Sequence, residues 1–356
     1  MSAASRYGAT PTDVTTLLAE LGEPAYRGAQ LLDALYRQQR PLEEATTLPR
    51  ALRERVAGAL PLSLRAEAEL TAHDGLTTKW LWSCTRDGAQ IETVLMRYPE
   101  RATVCVSSQA GCAMACTFCA TGQAGFERHL DTGEIVEQVL RAAHASPQRV
   151  SNVVFMGMGE PLANYEGTWS SVERIHGELG LSARRITVST VGVAPAMRRL
   201  AKEDLPVTLA VSLHAATDEE RDALVPLNRR YPIAEVLDAA AEFAAAKGRR
   251  VTFEYACIAG VNDSPRQAAA LGRLLGAFPG VGGAHVNLIP LNATAGYEGD
   301  APPGLHLRAF AERLRSHGVT ATIRRNRGTD IAAACGQLRS RAAMPPGAPG
   351  SDTMGS

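Results

Sequence analysis

No stretch of the chain approaches the ~20 consecutive apolar residues that a membrane-spanning helix requires. Its apolar runs are short, Ile289 to Leu291 with their neighbours being typical, and the polar opening from Met1 to Thr15 lacks the apolar region of a secretory signal. A surplus of one charge is missing as well. Lys plus Arg and Asp plus Glu each total 37, so no global field steers the chain to nucleic acid, and any basic region must be local. An even cysteine set is the third absence. Cys84, Cys105, Cys112, Cys116, Cys119, Cys257 and Cys335 are odd in number and unevenly spaced, which speaks against a disulfide framework and for metal or redox chemistry in a reducing compartment. What is present is an ordinary globular composition over 356 residues, 45% hydrophobic and 21% charged. Disorder of the whole chain is excluded, and a cytoplasmic protein without membrane association is expected.

Leu17, Leu18 and Leu21, then Leu31, Leu32 and Leu35, then Leu52, Val56 and Leu60 recur at helical spacing, with Pro24, Pro41 and Pro49 between the sets. Three short helices are therefore expected first. The period then changes. Residues 79–84 and 91–97 are β-like runs joined through Arg86-Asp87-Gly88, where Asp-Gly suits the positive backbone angles of a tight hairpin. From residue 102 short β-branched runs alternate with helical ones. Strands are expected at 103–106, 152–155, 186–189, 207–213, 251–256, 285–289 and 320–323, and helices at 132–143, 194–201, 234–246, 267–277 and 305–316. Such alternation gives an α/β fold with a parallel sheet, a complete or partial barrel whose chemistry gathers in the loops after the strands. The expected organisation is a helical accessory domain over 1–65, a β-hairpin extension over 66–97, a barrel over 98–330, a C-terminal segment over 331–341 and a disordered tail over 342–356.

After the first barrel strand stands Gly111-Cys112-Ala113-Met114-Ala115-Cys116-Thr117-Phe118-Cys119, a CxxxCxxC pattern. Three thiolates at this spacing can wrap one soft metal centre. A zinc ion completed by a fourth ligand elsewhere is one reading. The other is an iron–sulfur cluster, which with three cysteines instead of the usual four keeps one iron open to a further ligand. Later strand ends are polar: Met156-Gly157-Met158-Gly159-Glu160-Pro161 follows the second strand, Ser189-Thr190 ends the third, Ser212-Leu213-His214 the fourth, and Asn287 to Asn292 the sixth. Polar groups at apolar strand ends are costly unless hydrogen-bonded, so several on one rim mark a site.

These residues resemble the radical S-adenosylmethionine superfamily. The resemblance implies a partial (β/α)6 radical SAM barrel with one [4Fe–4S] cluster on Cys112, Cys116 and Cys119. It also implies S-adenosylmethionine on the fourth iron, contacted by Gly159, Glu160, Ser189, Ser212, Leu213, His214 and Asn292, with Phe118 near the adenine. A narrower resemblance rests on Val104-Cys105-Val106-Ser107-Ser108-Gln109-Ala110-Gly111-Cys112, on the 156–161 motif, and on the ending Ala334-Cys335-Gly336-Gln337-Leu338 after Arg327-Gly328-Thr329-Asp330-Ile331. Together they resemble the RlmN branch of the RlmN/Cfr RNA adenosine methyltransferases.

That resemblance implies 2-methyladenosine formation in 23S rRNA at the peptidyl transferase centre and in tRNA beside the anticodon. Cys335 would take a methyl group from one S-adenosylmethionine. A second, cleaved by one electron from the cluster, would give a 5′-deoxyadenosyl radical that takes hydrogen from the Cys335 methyl. The carbon radical would add to adenine C2, and Cys105 would release the product through a transient disulfide with Cys335. Two molecules of S-adenosylmethionine are thus expected per turnover. Glu92, in Ile91-Glu92-Thr93-Val94-Leu95-Met96, is the expected proton acceptor; an acidic group on an apolar face suits that work near neutral pH. A flavodoxin-like electron donor and a monomeric enzyme are also expected.

RNA contact has a local basis in the sequence. Between residues 307 and 341 eight arginines stand against Glu312 and Asp330, a formal surplus of six that can draw in phosphate. Cys84 and Cys257 match no motif and are assigned to the core. Two alternatives stay open: Cfr-like methylation at C8, against which Glu160-Pro161 and Ile289-Pro290 speak, and a non-catalytic, zinc-stabilised RNA-binding protein.

Overall fold

The computed structural model describes residues 5–338; the expected tail over 342–356 and the last residues of the C-terminal segment lie outside the described residues. Helix α1 (Pro11–Glu20) starts where Thr10 and Asp13 cap each other reciprocally, side chain to backbone. Helix α2 (Tyr26–Leu32) runs on into a π-helical turn, Asp33–Arg37, and α3 (Arg50–Ala59) follows Pro49. Leu18, Leu31, Leu35, Leu52, Val56 and Leu60 bury one face of this bundle, as their spacing predicts, whereas Leu17, Leu21 and Leu32 are half-buried and Val14 takes a core place the spacing does not assign.

The next region departs from the expected two-stranded hairpin. Three strands, β1 (Leu64–Thr71), β2 (Thr77–Cys84) and β3 (Gln90–Tyr98), form an antiparallel set. β1 is an edge strand that buries Leu64 alone, so no apolar alternation betrays it. The expected tight Asp-Gly turn is instead a loop over 85–89 in which Gly88 alone has a positive φ, +79°. Asp87 is spent otherwise: its carboxylate accepts from Ala89 N and pairs with Arg128.

The barrel strands follow as β4 (Arg101–Cys105), a short hairpin β5 (Gln109–Gly111) and β6 (Phe126–His129) around helix α4 (Ala120–Gln123), then α5 (Thr132–His144), β7 (Val150–Phe155), α6 (Tyr165–Gly177), β8 (Ile186–Thr190), α7 (Ala194–Lys202), β9 (Thr208–Ser212), α8 (Asp218–Leu224), α9 (Ile233–Lys247), β10 (Thr252–Cys257), α10 (Pro265–Gly276), β11 (His285–Pro290), α11 (Gly304–Arg315) and β12 (Thr320–Ile323). Helix α6 is absent from the periodic reading because glycine, serine and threonine interrupt the apolar positions Trp169, Val172 and Ile175. One ten-stranded sheet has the order β1-β2-β3-β4-β7-β8-β9-β10-β11-β12. It is antiparallel as far as β4 and parallel from β4 to β12, so the extension and the barrel share a continuous sheet. The described strands include no pairing of β12 with β1; the sheet is open.

Two faces divide the parallel strands. Val153, Val188, Leu209, Val211, Phe253, Val286 and Leu288 are fully buried in the core, each contributing roughly 1.5–3 kcal/mol. The alternate face turns inward, where the register sets Ser212, Glu254, Asn287 and Thr322 level with one another on β9 to β12. In that row Glu254 and Asn287 are buried and Thr322 is exposed on the last strand.

Candidate active site

The cysteine loop leaves β5 and is braced from behind. Thr117 N donates to Leu224 O at 3.1 Å, and Cys116 packs with Leu224, Val225, Ile258 and Leu291. Cys119 then caps α4, its N–H donating to Cys116 O at 3.2 Å. Cys116 is buried, while Cys112 and Cys119 are half-buried. Burial pushes the Cys112 thiol up to about 12 and raises Cys116 as well, with the neighbouring thiols and Glu160 adding to the effect. The Cys112 and Cys116 thiols thus hold their protons at neutral pH, and a metal centre that binds them must displace those protons.

Strand ends on the far side face the loop across a cavity of about 160 Å³, whose wall includes Cys116, Cys119, Phe118, Gly159, Glu160, Ser189, Ser212, His214, Asn292 and Cys335. Of the residues expected to contact S-adenosylmethionine, Leu213 alone is off this wall; it is fully buried. Gly157 and Gly159 are required by packing more than by a ligand. A side chain at Gly157 would strike Val106 O, and one at Gly159, where φ is +101°, would strike Gln109. Glu160 Oε1 accepts from Leu162 N at 3.0 Å and Oε2 from Val191 N at 2.8 Å. Burial nevertheless raises its carboxyl to about 7. His214 accepts from Ala256 N at Nδ1, 2.9 Å away, and burial lowers its ring to about 3. The imidazole is thus neutral and presents its Nε2–H, with Phe118 edge-on at 4.8 Å.

A second cavity, of about 340 Å³, shares Cys335, Met156, Ile289 and Arg324 with the first. Cys105, at the end of β4, and Cys335 both line it; Val94, Met96, Met156 and Ile289 give it an apolar wall, and Arg324, Arg325 and Arg327 a basic one. At its edge the Tyr98 ring has the Arg327 guanidinium 4.5 Å and the Arg101 guanidinium 4.8 Å from its centroid. The Cys335 segment is tied down from three directions. Ala120 N donates to Gly336 O at 2.7 Å, Asn292 Nδ2 to Cys335 O at 3.0 Å, and Lys79 Nζ to Ala332 O at 3.1 Å. Cys335 is exposed to solvent through the cavity mouths, yet the atoms crowding the hollow push its thiol up, with Arg324 pulling it down. The Cys105 thiol is raised by burial, then by Cys335. All seven cysteines are free thiols. Glu92 is buried on β3 and paired with Lys79 at 2.8 Å, outside the walls of both cavities.

Comparison with known proteins decides the family. Residues 106–271 match the model of the radical SAM superfamily. A relative from Rhodococcus opacus (strain B4), named "Probable dual-specificity RNA methyltransferase RlmN", is 53% identical over 92% of this chain and 92% of its own length. One of the same name from Parafrankia sp. (strain EAN1pec) is 55% identical over 92% of this chain and 88% of its own. The chain belongs to the RlmN family. In three dimensions it matches a radical SAM methyltransferase from Sphaerobacter thermophilus, with TM-score 0.89 and 47% identity over 95% of this chain and 99% of the other.

The radical SAM superfamily implies a [4Fe–4S] cluster and S-adenosylmethionine, and the residues present fit both. Among the described residues no three His, Cys, Asp or Glu side chains close on a point that one metal ion could occupy. The three thiols share one loop, with Cys116 and Cys119 on the wall of the hollow and Cys112 off it, a donor set that by its chemistry suits an iron–sulfur cluster. Asn292 Oδ1 is buried without a hydrogen-bond partner, an acceptor left for a ligand. Sequence reasoning missed several groups that complete the site. Arg221 on α8 is wholly buried and ties Val191 O, Ser212 O and Leu213 O together, closing the ends of β8 and β9. Glu254 stands on the wall of the first cavity, and Lys79 joins Glu92 to the Cys335 segment. Inward-facing polar positions within strands would have been the signal for Glu254.

Proposed function

We propose that this chain methylates C2 of adenosine in 23S rRNA, at the peptidyl transferase centre, and in tRNA beside the anticodon. The observation that carries the reading is the placement of Cys335, which lies on the wall of the cysteine-loop cavity and also, with Cys105, on that of the arginine-edged cavity. One thiol can therefore face a methyl donor on one side and a nucleobase on the other. Bound at Cys112, Cys116, Cys119 and the facing strand ends, the cluster and S-adenosylmethionine supply the methyl group and the one-electron cleavage that activates it.

The chain's own residues do the rest. Glu160, when ionised, faces an ammonium; the neutral His214 donates through Nε2; Gly159, Ser189, Ser212 and Asn292 complete the cradle. Cys335 carries the methyl group. The second cavity receives adenine against Val94, Met96 and Met156, while Arg324, Arg325 and Arg327 hold phosphate. Once carbon is joined to adenine, the Cys105 thiolate attacks Cys335 sulfur; the S–S bond forms as the S–C bond to the adenine-bound carbon breaks, its electron pair staying on that carbon, which takes a proton as the methylated RNA leaves. Glu92 is the proton acceptor of the series, held in place by Lys79. A flavodoxin-like protein supplies electrons to a monomeric, cytoplasmic enzyme, two S-adenosylmethionine molecules being consumed per turnover.

Mass spectrometry of nucleosides from both RNA classes, in cells with and without the gene, tests the reading. Loss of 2-methyladenosine on deletion is expected. Loss of 8-methyladenosine instead would establish the Cfr-type reaction. One zinc and no iron in anaerobically purified protein would leave only an RNA-binding role.

A further inference from the structure

The proposed reaction leaves one proton without a destination. Burial keeps the Cys335 thiol neutral at neutral pH, yet only a thiolate displaces a methyl group readily from a sulfonium. Three ionisable groups act on that thiol: Arg324, Glu254 and Cys119. Arg324 stays charged and offers no lone pair. Cys119 belongs to the cluster set. Glu92, the acid assigned to the RNA step, is engaged with Lys79 and sits outside the cavity wall.

We propose that Glu254 is the base that deprotonates Cys335 for its own methylation. Its carboxylate takes the S–H proton, the sulfur lone pair forms the new S–CH3 bond, and the sulfonium S–CH3 bond breaks to leave neutral S-adenosylhomocysteine. The inference rests on the reading of Cys335 as methyl carrier.

The placement is built into the sheet. Glu254 is level with Ser212 on β9 and Asn287 on β11, on the inward face, and lines the same cavity as Cys335. Only 5% of it is exposed, and an amide holds it in place of a cation: Asn287 Nδ2 donates to its Oε1 at 2.8 Å. The groups facing it are Asn287, Arg324 and Thr252, each favouring the charged form, against burial, which raises its pKa. With burial the larger influence its pKa is raised on balance, which makes the carboxylate a better proton acceptor than a free one.

The test follows transfer of labelled methyl from S-adenosylmethionine to unmethylated Cys335 in holoenzyme without RNA, by peptide mass spectrometry across pH. Glu254→Gln keeps the shape and loses the base. Its rate at pH 7, with S-adenosylmethionine saturating, should fall about 10²-fold or more and then climb as pH rises and solvent takes over, with iron content as in wild type. Asn287→Leu keeps the carboxyl but removes a bond that favours its charge, so the acid limb of the profile should move to higher pH. A wild-type rate in Glu254→Gln, or a slower rate with an unchanged profile, overturns the proposal; so does an unmoved limb in Asn287→Leu should the first variant fail to fold. Absence of label on Cys335 in wild type would instead overturn the methyl-carrier reading itself.

Discussion

Lys79 Nζ lies 2.8 Å from Glu92 Oε1 and 3.1 Å from Ala332 O, so one buried ammonium joins the expected acid on β3 to the segment that carries Cys335. Both side chains are almost wholly shielded from water. Stripping one partner from such a pair leaves a lone buried charge, at a cost of about 3–5 kcal/mol. Lys79→Met is therefore expected to lower unfolding stability by that order, and Lys79→Met with Glu92→Leu to recover most of the loss. Glu92→Gln, with its shape kept, should retain iron yet lose RNA methylation at least ~100-fold. Chemical denaturation and single-turnover assays read the two effects separately. Full methylation by Glu92→Gln would remove this residue from the chemistry.

On the proposed reading, Glu160 should make cofactor affinity depend on pH. Its folded pKa is raised from 4.5 to about 7 by burial, so the folded chain holds this proton more tightly than the unfolded one. That contribution to stability is whole below 4.5 and lost as pH rises through about 7. An ammonium ligand needs the ionised form. The dissociation constant of S-adenosylmethionine should rise as pH falls below 7, approaching about tenfold per unit. Glu160→Gln should bind weakly at pH 8 and show no such slope. Isothermal titration at pH 6, 7 and 8 compares the two; parallel slopes would place the titrating group elsewhere.

The sequence carried the barrel well because its strands are apolar runs of the right length between amphipathic helices, and β7 to β12 fall within a residue or two of the expected limits. It failed at β1, where Arg65, Glu67 and Glu69 stand on an edge strand with nothing apolar between them beyond alanine. The cysteine loop was legible because its three thiols stand within eight residues of one another. The long-range partners were not. Arg221, Glu254 and Lys79 find their contacts on other strands, and no local spacing encodes which strand ends will meet. Glu92 was expected beside apolar neighbours; its pairing with Lys79 follows from the β2–β3 register, which sets Val94 opposite Lys79 and Leu81 opposite Glu92.

Cluster assembly should depend on each loop cysteine. With three thiols for four irons, one iron already lacks a protein ligand. Cys112→Ala, Cys116→Ala or Cys119→Ala should reduce iron from about four per chain to well below one and abolish S-adenosylmethionine cleavage together. The Cys335 segment should loosen as well, since Ala120 N, next to Cys119, holds Gly336 O at 2.7 Å. Iron analysis, 5′-deoxyadenosine yield and limited proteolysis near residue 335 report the three effects. Full iron in any of these variants would contradict the assignment.

The proposed reaction gives Cys105 and Cys335 separable tasks. Cys335 must hold the methyl group before anything is joined to RNA, so Cys335→Ala should keep its cluster and give neither methylated RNA nor a covalent adduct. Cys105 acts afterwards. It shares a cavity with Cys335 and is buried at the end of β4, with a thiol raised by that burial; it is placed to attack a neighbour more than to meet solvent. Cys105→Ala should therefore begin the reaction and stall, leaving RNA bonded to the chain through Cys335. A cysteine that merely packed the core would behave differently: its loss would weaken the fold while turnover continued. Denaturing electrophoresis of each variant from RNA-containing cells, before and after nuclease, distinguishes these outcomes. A nuclease-sensitive band in Cys105→Ala alone is expected, and the division of labour fails if Cys105→Ala releases methylated RNA normally or if Cys335→Ala traps as much RNA.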